Sequence, residues 1–264
     1  MTKVITIGNF KGGVGKSTLT ELLSYLLSVQ EKKKVLVIDA DPQQNLTEKI
    51  RKTFNNDELP KSTMMKAIED FELNNAIIKV HDNLDMVVGD GEIGLFHEFV
   101  IKNYDEKAKY YLLYSLLQEI KDNYDYILID TRPSDPSVDI LTTNVICASD
   151  YVLITAKTEQ DSYTSTSKYY TSLGEIAAYN ENLKFLGIVP YLVNERSSTD
   201  KEILNKFKVL FEEDMFNHVV KNSDRVKTWG RTGVTTDKPH DKNTLKMYQE
   251  LLKELLERIE IKEN

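Results

Sequence analysis

The sequence predicts an α/β fold in which a doubly wound, mostly parallel sheet carries helices on both faces. Short and nearly continuous apolar runs alternate with helical patterns, which is typical of parallel strands buried on both faces. A glycine-rich loop also follows the first apolar run and opens the first helix. These repeated strand–helix–strand units predict one domain over residues 1–264.

The elements are predicted from the apolar pattern in chain order. Six strands are expected at Val4–Ile7, Val35–Ile38, Leu84–Val88, Tyr126–Ile129, Tyr151–Thr155 and Phe185–Val189. Four helices are expected at residues 17–30, 107–121, 199–212 and 243–260. Segment 41–62, rich in Asn, Lys and Asp, is expected to be a long loop, and the helix 243–260 is expected to pack on the domain.

The composition limits the classes of function. The formal net charge is −8 and the isoelectric point is about 5.2, which argues against a protein that coats nucleic acid but permits a local basic patch. The single cysteine, Cys147, excludes an intramolecular disulfide and a cysteine-only metal cluster. The sequence has no signal-peptide pattern and no run of about 18 apolar residues, so we expect a cytoplasmic protein.

The loop GNFKGGVGKST (8–18) fits a phosphate-binding loop at its end, although Phe10 stands where the usual pattern begins with glycine. Backbone N–H groups from Gly13 through Val14, Gly15 and Lys16 to Ser17 are expected to form an anion nest at a helix terminus. Gly12, Gly13 and Gly15 permit close approach to a phosphate. Lys16 would contact the β- and γ-phosphates, and the Ser17 hydroxyl would contact Mg²⁺.

Two carboxylate sites follow predicted strands. VLVIDADPQQN (35–45) places Asp39 and Asp41 after one strand, and YDYILIDTRPS (124–134) places Asp130 at the end of another. Ligands of open α/β sheets bind at the carboxyl ends of the strands, so all three should lie beside the phosphates. Such carboxylates hold Mg²⁺ or orient an attacking water. The alternative is that they only cap helices.

These three motifs resemble the deviant Walker A, Walker A′ and Walker B motifs of the ParA/MinD ATPases, which are P-loop NTPases. The DADPQ sequence (39–43) favours the ParA branch, which segregates plasmids and chromosomes. The resemblance continues through ASDYVLITAKTE (148–159) and LGIVPYLV (186–193) and so covers most of the chain.

The resemblance implies an ATPase that uses Mg²⁺ and dimerises across ATP. Lys11 would be the signature lysine that reaches the phosphates of the partner subunit, and Thr18 would contact the α-phosphate. Asp41 would position the hydrolytic water, Asp39 would support Mg²⁺, and Asp130 would be the Walker B carboxylate. The expected catalytic set is Lys11, Lys16, Asp41 and Asp130; the expected metal set is Ser17, Asp39 and Asp130.

Two parts of the chain depart from the family pattern. Arg132 replaces the first of two prolines, and it either contacts phosphate or the partner subunit, or forms a surface ion pair, which is the reading favoured here. The run that borders adenine falls on Lys221, Asn222 and Ser223 when Arg225 and Gly233 are matched to the arginine and glycine of the family.

Residues 221–242 carry six Lys or Arg and three Asp, a local balance of +3 in an acidic chain. Such a patch suits sequence-independent, salt-sensitive contact with DNA phosphates, although a charge run also occurs in plain solvated loops. Together with the resemblance it predicts nonspecific DNA binding, with Lys221, Arg225, Lys227 and Arg231 as contacts and with the protein on the nucleoid.

Recognition of a centromere is expected to belong to a separate ParB-like adaptor, since the glycine loop begins close to residue 1. The alternative is a MinD-like membrane-positioning ATPase, which uses a basic amphipathic C-terminal helix. Here the charges from Lys246 onward are four basic and five acidic, which disfavours binding to anionic lipid. A metabolic ligase or kinase on the same scaffold also stays open, whereas the single cysteine excludes a nitrogenase iron protein.

Overall fold

The computed structural model describes residues 1–263, so Asn264, the last residue of the predicted domain, lies outside the described residues. Its strands are β1 (Lys3–Gly8), β2 (Val35–Ala40), β3 (Ile77–His81), β4 (Leu84–Val87), β5 (Tyr126–Thr131), β6 (Tyr151–Lys157), β7 (Lys184–Val193) and β8 (Val220–Lys221). They form one sheet in the order β3-β4-β2-β5-β1-β6-β7-β8, and only β3 and β4 pair antiparallel within the described residues. The predicted fold class is thereby confirmed.

Helices cover both faces of this sheet. They are α1 (Lys16–Tyr25), α2 (Asn45–Phe54), α3 (Met64–Glu69), α4 (Phe96–Asn103), α5 (Leu112–Gln118), α6 (Ile140–Cys147), α7 (Gln160–Ile176), α8 (Ser198–Phe211), α9 (Asp224–Thr232) and α10 (Pro239–Glu263). A π-helical turn, Leu26–Gln30, continues α1. Successive residues of β1 point to opposite faces: Ile5 and Ile7 join a core with α1, α2 and α10, while Val4 joins the core of the other face.

The prediction of a long loop at residues 41–62 is wrong, because Asn45–Phe54 form helix α2. This helix buries only Leu46, Thr47 and Ile50 along one stripe, and the remaining positions are largely charged or polar. Leu46 and Ile50 form a narrow apolar stripe on an otherwise charged and polar segment, so the helical pattern is clear but short, and packing of this stripe stabilises the helix.

The helix expected at 107–121 is also shorter than predicted. A 3₁₀ turn at Ala108–Tyr110 precedes α5, which begins only at Leu112. The reason lies on α6, where the buried Asn144 side chain accepts the N–H groups of Leu112 and Leu113 at 3.0 and 3.3 Å. A side-chain cap from a distant helix therefore sets this boundary.

The last helix, α10, lies on the face that carries α1. Its buried side chains follow helical spacing and include Leu245, Tyr248, Leu252 and Leu255. Within residues 1–263, no helix combines the length and the apolar character needed to cross a membrane.

Candidate nucleotide-binding site

Three neighbouring strands bring the predicted motifs together. The order β2-β5-β1 places the carboxyl ends of these strands side by side, and Asp39 pairs in register with Asp130. Both carboxylates are fully buried. The phosphate loop leaves β1 at the same edge, so one end of the sheet holds the loop and both carboxylate motifs, as expected for an open α/β sheet.

A cleft of about 660 Å³ opens at this edge. The phosphate loop and Asp41 line one side, and the end of β7 and the helix α9 line the other. Its lining residues are Gly13, Gly15, Lys16, Ser17, Thr18, Asp41, Asn45, Lys49, Pro133, Tyr191, Leu192, Asn222, Val226, Lys227, Gly230 and Arg231. The size is that of a small-molecule site.

The loop depends on a glycine at position 15. Gly15 has φ +96°, a left-handed conformation that glycine adopts without strain, and it caps the start of α1. A Cβ at this position would lie 2.1 Å from the ring of Tyr191, so the ring packs directly against the loop backbone. The Tyr191 hydroxyl is 2.7 Å from that of Tyr248 on α10, and both side chains are buried.

Three residues of the predicted nucleotide-binding loop, Lys11, Gly12 and Val14, do not line the cleft. Gly12 was expected to approach a phosphate, but it is exposed and does not line the cleft. A Cβ there would meet only Pro133, at 3.5 Å, so Gly12 lies next to a residue of the cleft wall. Val14 is fully buried, so its side chain packs inward and only its backbone N–H remains a candidate contact. Contact of Gly12 with a phosphate therefore stays a prediction.

Lys16 lies at the floor of the cleft and is only 6% exposed. Burial lowers the pKa of Lys16, and the nearby carboxylates of Asp130 and Asp41 oppose that effect. The ammonium group donates to the backbone carbonyl of Lys11 at 3.4 Å, a long bond. A cation held this loosely at a helix N-terminus is suited to exchange that contact for phosphate oxygens.

Asp130 is the strongest indication of a cation at this site. Its two carboxylate oxygens are buried and make no hydrogen bond of good geometry among the described residues, although the Ser17 side chain lies close enough to affect the pKa of Asp130. Burial, and secondarily the charge of Asp39, raise the pKa of Asp130, whereas Ser17 and Lys16 oppose that rise. A buried carboxylate of this kind fits Mg²⁺, which is commonly bound by one or two carboxylates together with substrate phosphates.

No group of three or more His, Cys, Asp or Glu within residues 1–263 would hold a metal alone. A Mg²⁺ at this edge would therefore need phosphate oxygens besides Asp39, Asp130 and the Ser17 hydroxyl. Burial raises the pKa of Asp39 to about 6, although one oxygen accepts the Thr47 N–H at 2.8 Å.

Asp41 occupies a turn at the wall of the cleft and is 6% exposed. One of its oxygens accepts the Gln43 N–H at 2.9 Å, which fixes the carboxylate at the start of the turn. Its other oxygen is available to orient a water in the cleft.

Lys11 points away from its own cleft. Its backbone N–H donates to Asn9 Oδ1 at 2.9 Å, and its ammonium group pairs with Glu159 at 3.0 Å, where the two side chains are 30% and 54% exposed. Asn9 is fully buried and is anchored to the Thr155 carbonyl at 2.6 Å. The Lys11 backbone is thus fixed, while its charge lies at the surface.

Arg132 forms an ion pair with Asp139 through two of its nitrogens. Asp139 is largely buried, and it also accepts a bond from the Thr142 hydroxyl. Burial alone would raise the pKa of Asp139, but these bonds hold it below its ordinary value. The pair is partly buried rather than a plain surface contact, and it anchors the loop that carries Pro133 into the cleft.

The three residues expected to border adenine do not share one position. Asn222 lines the cleft, whereas Lys221 pairs with Glu195 at 2.8 Å. Ser223 is the N-cap of α9 and accepts the Arg225 N–H at 3.2 Å. Of the three, the geometry favours Asn222 as a nucleotide contact.

The geometry also disfavours Arg225 as a DNA contact. Its guanidinium pairs with the fully buried Asp241 and donates to Thr235 at 2.7 Å, and the side chain is 18% exposed. This pair joins α9 to α10, so a structural role is the better assignment. Lys227 and Arg231 are exposed at the mouth of the cleft, on the side of α9 that faces α2.

Sequence reasoning missed several residues of the cleft, including Tyr191, Asn45 and Lys49. Tyr191 looks like an ordinary strand residue, and Asn45 and Lys49 fall in the segment expected to be a loop. The sequence of the glycine loop does not indicate which aromatic side chain packs against it. Lys49 could have been assigned to the cleft only if helix α2 had been predicted.

A phosphate loop, a buried lysine and paired carboxylates at the edge of a doubly wound sheet define a P-loop nucleotide-binding protein. Residues 2–185 match the protein family described as AAA domain, which covers more than half of the chain. Together with the relatives below, this places the chain in the ParA branch of the ParA/MinD-type P-loop ATPases, and the chain belongs to that family.

Three known proteins illustrate the likeness. The virulence plasmid ParA family protein pGP5-D of Chlamydia psittaci is 29% identical over 220 residues, which cover 83% of this chain and 80% of the relative. A putative plasmid partition protein of Borrelia burgdorferi B31, solved with AMPPNP, superposes with a TM-score of 0.80 at 25% identity, covering 98% of this chain and 100% of that one. Cobyrinic acid a,c-diamide synthase of Mycobacterium smegmatis, solved with ADP and magnesium, shares the fold with a TM-score of 0.79 at 20% identity, covering 98% and 96%.

Proposed function

We propose that this protein is a DNA partition ATPase. It dimerises on Mg²⁺-ATP, binds DNA without sequence preference, and is released when a ParB-like centromere-binding adaptor stimulates hydrolysis. It acts in the cytoplasm, on the nucleoid. The plasmid relatives from Chlamydia and Borrelia support this reading.

One observation carries the proposal. Lys11 has a fixed backbone inside the phosphate loop, yet its ammonium group lies outside the cleft at 3.0 Å from Glu159. A lysine that served its own nucleotide would be expected to line its own cleft, as Lys16 does. A surface position instead suits a cation that reaches the nucleotide of a second subunit, where it would stabilise charge on the transferring phosphoryl group.

Each remaining residue has a role in this scheme. Lys16 and the backbone N–H groups of residues 13–17 hold the phosphates, and Thr18 contacts the α-phosphate. Asp130, Asp39 and the Ser17 hydroxyl would hold Mg²⁺, which would neutralise charge on the phosphates. Asp41 orients the attacking water.

The DNA contacts are proposed to be Lys221, Lys227 and Arg231, which are exposed. These cations act through phosphate contacts, so binding is independent of sequence and falls steeply with salt. Arg225 is left out of this set because its charge is used inside the protein.

A DNA mobility-shift assay tests the proposal directly. The protein is incubated with unrelated duplexes in the absence of nucleotide, with ADP, and with a slowly hydrolysed ATP analogue, at two salt concentrations. We expect a shift only with the analogue, and a weaker shift at the higher salt concentration. Binding that ignored the nucleotide would reject the proposed switch.

Two variants separate the steps. Lys11→Ala is expected to abolish ATP-dependent dimerisation and DNA binding, as measured by light scattering and by the shift assay. Asp41→Ala is expected to dimerise and bind DNA yet lose phosphate release by about 10²-fold or more, the usual effect of removing a group that orients the reacting water. If both variants kept both activities, the mechanism would be wrong.

A further inference from the structure

Helix α2 joins the carboxylate site to the C-terminal segment. At its first turn, the Thr47 N–H donates to Asp39 Oδ2 at 2.8 Å, and the Thr47 hydroxyl accepts the Gly89 N–H at 3.0 Å. Its ten residues span about 15 Å at the usual rise per residue. A short rigid helix therefore begins at the Mg²⁺-side carboxylate and ends well away from it.

The other end of α2 holds a polar contact between three segments. The Thr53 hydroxyl donates to Glu21 Oε1 at 2.7 Å and accepts the Val234 N–H at 3.0 Å. Glu21 lies on α1, which begins at Lys16, and Val234 follows α9. The Thr53 hydroxyl thus connects α1 and α2, which both start at the nucleotide cleft, to the segment that follows α9.

Packing at this contact leaves little freedom. Gly233 ends α9 with φ +77°, and a Cβ there would lie 2.5 Å from the carbonyl oxygen of Lys52. One turn earlier, a Cβ on Gly230 would lie 3.7 Å from the Lys49 ammonium. The last turn of α2 cannot shift without moving the end of α9, because close-packed elements transmit displacement.

Glu21 has no place in the proposed chemistry of the cleft, yet it is 2% exposed. An isolated buried carboxyl group is unfavourable unless it is hydrogen-bonded. Its bond from Thr53 satisfies this need only while α1 and α2 keep their present positions, and the same hydroxyl accepts the Val234 N–H.

We propose that Thr53 is a positioning residue that couples nucleotide occupancy at Asp39 and the phosphate loop to the position of α9. The coupling deepens the proposed function and rests on it, since α9 carries Lys227 and Arg231. Binding at the cleft displaces the first turns of α1 and α2, and Thr53 passes that displacement to Val234. The basic surface of α9 is thereby oriented by the nucleotide.

Hydrogen–deuterium exchange of the full chain tests this coupling without using DNA. Amides of residues 224–235 are compared without nucleotide and with the slowly hydrolysed ATP analogue. In the wild type we expect a change in exchange rate at these amides. Thr53→Val, which keeps the shape but removes the hydroxyl, is expected to reduce that change by about twofold to thirtyfold.

Thr53→Val is expected to keep nucleotide binding, since Thr53 does not line the cleft, and a fluorescent-nucleotide titration sets the concentrations at which both proteins are saturated. Thr53→Ser keeps the hydroxyl and is expected to restore the coupling. Thr171→Val is the matched control, because that hydroxyl bonds to Ser167 within its own helix. Equal nucleotide responses in wild type and Thr53→Val would overturn the inference.

Three further outcomes are decisive. Should Thr53→Val not fold, the wild-type Val234 amide still decides, because an unchanged exchange rate at saturating analogue would refute the coupling. If α9 responds to nucleotide through Thr53 but the wild type never shifts DNA, the proposed function fails while the coupling stands. A wild type that shifts DNA only with the analogue, with Thr53→Val behaving identically, refutes the coupling while the proposed function stands.

Discussion

Single residues determine whether the phosphate loop can form. Gly15 combines a left-handed backbone with direct contact to the Tyr191 ring, so two independent effects require glycine there. Tyr191 in turn bonds to Tyr248, which connects the loop to α10 through one buried pair of hydroxyls. Loop geometry therefore depends on residues more than 170 positions away in the chain.

Gly15→Ala is expected to abolish nucleotide binding and to lower the free energy of unfolding by about 1–3 kcal/mol, the usual effect of overpacking combined with a strained backbone. Thermal unfolding and a fluorescent-nucleotide titration measure the two effects. Gly174→Ala is the control: it lies on α7, and its Cβ would meet nothing within 4 Å. That variant is expected to gain about 0.5–1 kcal/mol, because alanine is the better helix former. A Gly15→Ala protein that bound nucleotide normally would contradict the role of the Tyr191 contact.

Elements whose burial comes from local apolar runs were predictable. The central strands around Val4, Val35 and Tyr126 are nearly continuous apolar segments, and the loop after β1 carries its own glycine and lysine signal. The site carboxylates were predictable for the same reason, since they follow such strands directly. Parallel strands end at one edge, which places Asp39 and Asp130 together on the strength of the sequence alone.

Elements that depend on distant partners were not predictable. Helix α2 has two buried apolar side chains and is held by Asp39 and Glu21, while β8 is only two residues long. The structural role of Arg225 could not be predicted, because its partner Asp241 lies 16 residues later, beyond the end of α9, the helix that carries Arg225. A local sequence pattern indicates which side chains are buried. It does not indicate the hydrogen bonds and ion pairs between distant residues that hold these elements in place.

The junction of α9 and α10 depends on one charged network. Asp241 is fully buried and accepts bonds from Arg225, Thr235 and the Lys238 N–H. Burial alone would raise the pKa of Asp241, but these bonds outweigh it and hold the pKa at about 2, below the ordinary 3.8. Because the pKa of the folded state is depressed, the ionised carboxylate stabilises the protein above about pH 4, and this contribution disappears as the pH falls toward 2.

Asp241→Asn is therefore expected to destabilise the protein by a constant amount between about pH 7 and 5, and by a shrinking amount below about pH 4. Urea unfolding followed by tryptophan fluorescence measures this, since the only tryptophan, Trp229, is buried and donates to Thr235 in the same network. Asp224→Asn is the control, because Asp224 is exposed and pairs with the surface Lys227. A difference between wild type and Asp241→Asn that persisted unchanged at about pH 2.5 would contradict the assigned network.

Over the whole chain, one short segment has a net positive charge and the remainder has a net negative charge. The chain carries −8 in total, while residues 221–242 carry +3, so the remainder carries −11. If the protein binds DNA as proposed, the acidic remainder would repel the duplex and the attraction would come from segment 221–242, which includes α9. Nucleotide-dependent orientation of this segment would then decide between binding and repulsion, which suits a switch better than a uniformly basic surface would.

Salt dependence measures how many cations of this segment contact DNA. The logarithm of the binding constant falls linearly with the logarithm of salt, with a slope of about −0.9 per neutralised phosphate. In the presence of the slowly hydrolysed analogue, Lys227→Ala and Arg231→Ala are each expected to weaken binding equally for unrelated duplexes and to reduce the steepness of this slope by about 0.9.

Lys253→Ala is the matched control for these two variants. That lysine lies on α10 outside the basic segment, is 79% exposed, and pairs weakly with Glu257 at 3.8 Å. Its removal changes the net charge by the same amount but is expected to leave the slope unchanged, since screened distant charges contribute little at physiological salt. If all three variants reduced the slope equally, net charge rather than the α9 face would govern DNA binding, and the proposed contacts would be wrong.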